Sequence, residues 1–231
     1  MNRRHFLAAP TLLAGLPFAA RAAEQPVVIE LFTSQSCSSC PPADALLGEL
    51  ARERPDVLAL SFHVTYWDRN GWRDPFSLRE ATERQRRYSS TLVNSRYRGQ
   101  VYTPQLVVQG QAEAIGSDRP AVLAAIEAAR NAPRIPLTVT PNTTSVTMRV
   151  GAGSGVGTVW LIGYDPLHET EVRGGENGGR KLTEANVVRS IAQVGAWIGQ
   201  PLRVDEPKPQ GERIAVLLQA AGGGILGAAA A

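Results

Sequence analysis

The stretch Val27-Val-Ile-Glu-Leu-Phe-Thr-Ser-Gln-Ser-Cys37-Ser-Ser-Cys40-Pro-Pro-Ala-Asp44 decides how this chain of 231 residues folds. From Val27 to Thr33 it is β-branched and apolar around a single acid, Glu30, which reads as a buried strand. From Asp44 the residues Ala45, Leu46, Leu47, Leu50 and Ala51 recur at helical spacing. Pro41 and Pro42 suit the first turn of that helix, where a missing N–H costs nothing. A cysteine pair therefore lies between a buried strand and a helix start, with Cys37 at or just before the helix N-terminus. These are the only cysteines in the chain.

Working outward, Val57-Leu-Ala-Leu-Ser-Phe-His63 is short and apolar enough to be a second buried strand. Residues 66–100 are polar and arginine-rich, irregular at first and then helical over 77–93. Arg84, Arg86 and Arg87 are expected on a solvated face of that helix. Tyr102-Thr103-Pro104-Gln-Leu-Val-Val108 reads as a third strand, and Gln109-Gly110-Gln111 as a tight turn into a fourth over 112–115. Asp118, followed by Pro120, is a good N-cap for an alanine-rich helix reaching about residue 131. The resulting order is β-α-β-α-β-β-α, closing at Pro133.

Beyond Pro136 the texture changes to short alternating runs punctuated by glycine, which predicts an antiparallel sheet or sandwich. The expectation is thus an α/β domain over 27–132, a central mixed sheet flanked by helices, and a smaller β-rich, sandwich-like domain over 133–231. Gly151-Ala-Gly-Ser-Gly-Val-Gly157 lies between strands, without the strand–loop–helix setting of a phosphate site, and reads as a flexible turn.

The N-terminus begins Met-Asn-Arg3-Arg4-His-Phe6-Leu7 and continues as an alanine-rich apolar stretch to Ala20. A charged start, a short apolar run and the Ala20-Arg21-Ala22 exit predict a cleaved signal peptide over residues 1–22. The paired arginines resemble a twin-arginine export signal, which places the mature protein in the periplasm or outside the cell. Pro10 and Pro17 interrupt the apolar run, which is short of the roughly 20 residues of a membrane span, so no stable span is expected after cleavage. Cleavage removes Arg3, Arg4 and Arg21 and no acid, leaving 21 basic against 21 acidic residues. That balance gives nucleic acid no electrostatic footing as a partner.

In such a compartment a Cys-x-x-Cys pair is suited to thiol–disulfide exchange. The thiolate is the attacking species, and a helix N-terminus lowers a thiol pKa through free N–H groups and the positive end of the dipole. Cys37, nearer the surface, is the expected nucleophile, and Cys40 the expected resolving thiol. Ser38 and Ser39 separate them. His63, Tyr66, Trp67 and Asp68 leave the second strand on the same sheet edge, where ligands of open α/β sheets collect. Trp67 is a candidate for positioning substrate there; the plainer reading has Trp67 packing and Asp68 capping a turn.

Residues 27–131 resemble the thioredoxin superfamily. More narrowly, Glu30-Leu-Phe-Thr-Ser-Gln-Ser-Cys37-Ser-Ser-Cys40-Pro-Pro-Ala-Asp44, Ser61-Phe-His63-Val-Thr-Tyr-Trp67-Asp68 and Tyr102-Thr103-Pro104-Gln resemble a bacterial secreted family known as domain of unknown function 1223. The likeness continues through Arg173-Gly-Gly-Glu-Asn-Gly-Gly-Arg180 and Asn186-Val-Val-Arg189. It implies a cis peptide between Thr103 and Pro104 that faces the cysteine pair and orients substrate. It also implies a buried acid beneath the site. The superfamily position for that acid holds Leu31, so Glu30, one residue back, is the candidate proton acceptor for Cys40, unless it points outward or pairs with an arginine.

The implied function is an exported oxidoreductase acting on protein thiols and disulfides, reset by a redox partner, with no dissociable cofactor and no metal. Two readings stand beside it. In one, Cys37–Cys40 is an inert local disulfide in a cell-envelope binding module. In the other, the two thiolates and His63 hold copper, which soft sulfur ligands suit. A structural zinc site would need four ligands, and adding His63 and His168 to the cysteines matches it poorly.

Overall fold

The computed structural model of the chain describes residues 25–92, 95 and 97–231. The signal peptide expected over residues 1–22 lies outside the described residues. The elements begin as β1 (Val27–Thr33), α1 (Pro41–Glu53), β2 (Val57–His63), a 3-10 turn at Thr65–Trp67 and α2 (Arg79–Thr91). They continue as β3 (Gln105–Val108), β4 (Ala112–Ile115) and α3 (Arg119–Arg130), the order expected from the sequence. Asp118 caps α3 as its side chain predicts, accepting from the Ala121 N–H at 3.2 Å.

The strands that follow are β5 (Leu137–Pro141), β6 (Ser145–Val150), β7 (Gly157–Glu171), β8 (Lys181–Trp197), β9 (Leu202–Pro207), β10 (Arg213–Ala220) and β11 (Ile225–Ala230). They do not make a domain apart. One mixed sheet of eight strands runs in the order β11-β10-β7-β8-β2-β1-β3-β4, so four late strands extend the sheet begun by β1. The seam is β8 beside β2, parallel, with Ser61 opposite Val187. The segments on either side of the boundary expected at 132/133 therefore contribute strands to one shared sheet. The remaining strands, β5, β6 and β9, form a separate antiparallel sheet.

Alternation along the strands explains the layers. In β1, Val27, Ile29 and Leu31 join Leu46, Leu47 and Leu50 of α1 and Val122 and Ile126 of α3 in one core. Val28 and Phe32 face the other way, into a core with Ala81 and Tyr88 of α2. That second core also takes Ile162, Ala215 and Leu217 from the late strands, so α2 spans both halves of the large sheet. Val146 and Met148 of the small sheet bury against Val159, Leu161, Val216 and Leu218 of the large one. The sandwich-like packing expected for the C-terminal part is thus present, but one of its layers is the large sheet itself. Among the described residues no helix is long and apolar enough to cross a membrane.

Arg84 departs from the solvated face expected for it. It is 1% exposed, while Arg86 and Arg87 face solvent. Its Nη2 donates to Glu30 Oε1 at 2.8 Å, and the Tyr88 hydroxyl donates to the same oxygen at 2.8 Å. Its Nη1 reaches Gln219 Oε1 on β10 at 3.0 Å. A buried ion pair thus ties β1, α2 and β10 together beneath α2.

Candidate functional site

Local backbone chemistry sets the cysteine loop. After β1 the chain turns at residues 34–40, where the Cys37 N–H donates to Ser34 O at 3.1 Å and the Cys40 N–H to Cys37 O at 3.2 Å. Pro41 then opens α1, with Cys40 as its N-cap, so Cys37 lies just before the helix. Cys37 and Cys40 are joined as a disulfide, their Cα atoms 5.4 Å apart. Both are 0% exposed, whereas Ser38 and Ser39 between them face solvent.

Several of the expected residues converge on Cys37. The Thr103–Pro104 peptide is cis. The Thr103 hydroxyl donates to Cys37 Sγ at 3.2 Å and accepts from Trp67 Nε1 at 2.8 Å. Ser39 Oγ lies 3.3 Å from the same sulfur. Pro104 is buried, and its carbonyl accepts from the Gly116 N–H at 2.9 Å. A Cβ at Gly116 would stand 2.8 Å from Leu31 and 2.9 Å from Ala43, so a side chain there would wedge Pro104 away from α1.

Glu30 is not brought to the pair. Strand alternation turns it toward α2, away from α1, and Arg84 and Tyr88 occupy its oxygens. It is thus buried and paired with an arginine, and is not placed to accept a proton from Cys40. Asp68 caps a turn, accepting from the Asp74 N–H at 3.2 Å and the Ser77 hydroxyl at 2.7 Å. His63 is fully buried on the α1 side rather than at the surface of the cleft.

Around His63 the structure assembles a polar network that local sequence patterns did not indicate. Its Nδ1 donates to Asp74 Oδ2 at 2.7 Å, and its Nε2 lies 3.9 Å from Glu184 Oε1. Gln35, two residues before Cys37, is the hub. Its N–H donates to Asp74 at 2.8 Å, its Nε2 to Glu184 at 2.7 Å, and its Oε1 accepts from Trp72 Nε1 at 3.0 Å. Burial opposes a charge on His63, but Asp74 and Glu184 outweigh it and lift its pKa to about 9. Burial would raise Asp74, yet the imidazolium holds it below the usual carboxylate range. Burial raises Glu184, against the pull of His63. Among the described residues no group of three or more His, Cys, Asp or Glu side chains is placed to hold a metal.

The β7–β8 hairpin closes the site from the other side. Its tip carries Arg173-Gly-Gly-Glu-Asn-Gly-Gly-Arg180. Asn177, fully buried, donates from Nδ2 to the carbonyls of Gln35 and Cys37, each at 2.9 Å. Glu176 Oε2 accepts from the Ser38 N–H at 2.9 Å, and hydrogen bonding from Ser38 holds that carboxyl below its usual range. The glycines make the approach possible. A Cβ at Gly174 would meet the Gly71 carbonyl at 2.3 Å, and Gly175 sits at φ +68 beside Ser36. The paired glycines flanking an Asn were the one sequence signal for this contact.

Comparisons with known proteins agree with this architecture. The sequence model of the family described as "Protein of unknown function (DUF1223)" matches residues 28–219. The crystal structure of a protein from Agrobacterium tumefaciens superposes with a TM-score of 0.76 at 32% identity, covering 88% of this chain and 92% of that one. HBP35 of Porphyromonas gingivalis superposes with a TM-score of 0.62 at 13% identity, covering 90% of this chain and 75% of that one, a likeness of fold alone. No curated protein matches the chain.

Proposed function

Since the chain belongs to the DUF1223 family, whose description assigns no activity, we propose from its site that it is an exported thiol–disulfide oxidoreductase built on a thioredoxin-like half. The observation that carries the reading is the disulfide between a buried strand and a helix start, with the Thr103 hydroxyl on Cys37 Sγ at 3.2 Å. Hydrogen-bond donors aimed at a sulfur favour its thiolate, and so does the nearby start of α1.

In the exchange a substrate thiolate attacks Cys37 Sγ, forming a mixed disulfide and releasing Cys40 as a thiolate. A second substrate thiolate attacks the substrate sulfur of that bond and releases Cys37. The substrate loses two electrons and becomes a disulfide; the protein gains them and becomes a dithiol. Run backward, Cys37 attacks a substrate disulfide and Cys40 resolves it. The direction follows the relative potentials of this pair and its partner. The Thr103–Pro104 segment, held by Trp67, orients the substrate beside Cys37. Exposed Ser38 and Ser39 shape the approach. No dissociable cofactor takes part; a thiol or quinone-linked partner resets the pair.

One observation favours a second reading. Both sulfurs are buried, as an inert local disulfide in a binding module would be. Insulin reduction by the wild-type protein and by C37S and C40S separates the two. Turnover is expected from wild type and neither variant, with C40S accumulating a mixed disulfide through Cys37. No turnover by wild type, and no mixed disulfide in C40S, would establish the inert reading.

A further inference from the structure

Three exposed segments border the Cys37–Cys40 disulfide: the turn at 68–73, the β7–β8 tip at 173–180 and the outer face of α2. The first two hold the cysteine loop directly. The Trp72 carbonyl accepts from Ser36 Oγ at 2.9 Å, and Asn177 Nδ2 donates to the Cys37 carbonyl at 2.9 Å. The helix meets the other side of the site, where Gln85 Nε2 donates to the Tyr102 carbonyl at 2.7 Å, one residue before Thr103.

These segments are basic at the surface. Arg69 and Arg73 lie on the turn, Arg173 and Arg180 on the tip and Arg86 on α2, and all five are exposed. Arg180 Nη1 braces the tip, donating to Asn177 Oδ1 at 2.7 Å, and the charge of Arg86 acts on the Tyr66 hydroxyl beside Thr103. Among the described residues none of the five forms an ion pair; the pairs go to other arginines, such as Arg119 with Glu49 and Arg189 with Asp165. The nearby acids are already engaged. Asp68 accepts from the Asp74 N–H and the Ser77 hydroxyl, and Glu80 and Glu83 of α2 pair with Arg79. Asp74 and Glu184, buried behind the loop, face the His63 imidazolium. A chain expected to carry 21 basic and 21 acidic residues once mature thus places unpaired cations around its cysteines.

Glu176 shows what this rim accepts. Its carboxylate sits on the Ser38 N–H, directly after Cys37, at 2.9 Å, and hydrogen bonding from Ser38 favours its charged form. We propose that the site takes a protein segment with acidic side chains beside its reacting cysteine, drawn in by the arginines, and that one of those carboxylates replaces Glu176 on the Ser38 N–H. The proposal rests on the oxidoreductase reading above and names its substrate class. In the exchange the substrate thiolate attacks Cys37 Sγ. The bond between the two sulfurs forms, the Cys37–Cys40 bond breaks, and Cys40 leaves with the electron pair. The attacking group is itself an anion, so the same cations favour its approach. Unpaired cations around a cleft raise the local concentration of an anionic partner, and salt screens the effect.

The test mixes the oxidised full chain with three synthetic peptides, each holding one cysteine flanked by Glu, Gln or Lys. Each rate of disulfide reduction is divided by that peptide's rate with hydroxyethyl disulfide, which corrects for thiol acidity. Salt is set at about 20 mM and about 200 mM, Debye lengths of roughly 20 and 7 Å. At low salt the Glu peptide is expected to react about tenfold faster than the Lys peptide, the lower end of electrostatic steering, and at high salt the advantage collapses. Two variants move the ratio of Glu-peptide to Gln-peptide rates in opposite directions. Arg73→Gln with Arg173→Gln lowers it about fivefold, the loss of two exposed charge contacts. Glu176→Gln, which keeps an oxygen for the Ser38 N–H but removes the competing charge, raises it. Equal corrected rates for the three peptides at low salt, or a ratio that neither variant moves, would overturn the acidic-substrate assignment. Absence of exchange with every peptide overturns the oxidoreductase reading itself.

Discussion

Replacing Arg84 by Met is expected to lower the unfolding free energy at pH 7 by roughly 3–5 kcal/mol, the cost of leaving one partner of a buried ion pair alone. Methionine fills much of the arginine volume, so the loss is electrostatic rather than a cavity. Glu30 would keep the Tyr88 hydroxyl but lose the guanidinium that neutralises it at the centre of α2, β1 and β10. The Gln219 contact that carries the network to β10 goes with it. Urea unfolding measures the effect directly. A loss under 1 kcal/mol would mean the pair behaves like a surface ion pair, contrary to its burial.

Asn177→Ala is expected to speed reduction of the Cys37–Cys40 disulfide by dithiothreitol roughly 30-fold. Both sulfurs are buried, so a reductant reaches them only when the covering segments open. Asn177 supplies two hydrogen bonds that pin the loop carbonyls of Gln35 and Cys37 to the hairpin tip. At about 1 kcal/mol for each bond, their loss favours the open form by about 2 kcal/mol, and each 1.4 kcal/mol is tenfold. Local opening of this kind leaves the global unfolding transition in place. An unchanged reduction rate would show that the hairpin does not guard the disulfide.

Much of the first half was legible because its signals are local. A buried strand, a cysteine turn with Pro41 behind it, and Asp118 ahead of α3 each declare themselves within a few residues. The Thr103–Pro104 step beside Cys37 was legible only through family resemblance. What escaped depends on distance along the chain. Nothing within 181–197 reveals that β8 will lie parallel to β2, and that pairing is what merges the two halves into one sheet. Arg84 stands in a run of charged residues whose pattern suits a solvated face; only the fold supplies Glu30 as its partner.

The site divides in the same way. Cys37, Cys40, Thr103 and Trp67 meet in the structure, whereas Glu30 is turned aside by the simple alternation of β1. The network of Gln35, His63, Asp74 and Glu184 draws on four separate segments, so no spacing rule could find it.

Whether Cys37 is a poised thiol is measured most directly by the pH dependence of its alkylation in the reduced protein. With iodoacetamide and site-resolved mass spectrometry, Cys37 is expected to react before Cys40, with a midpoint below the ~8.5 of an unperturbed thiol. A midpoint at or above that value, or Cys40 reacting first, would contradict the assignment of Cys37 as the nucleophile.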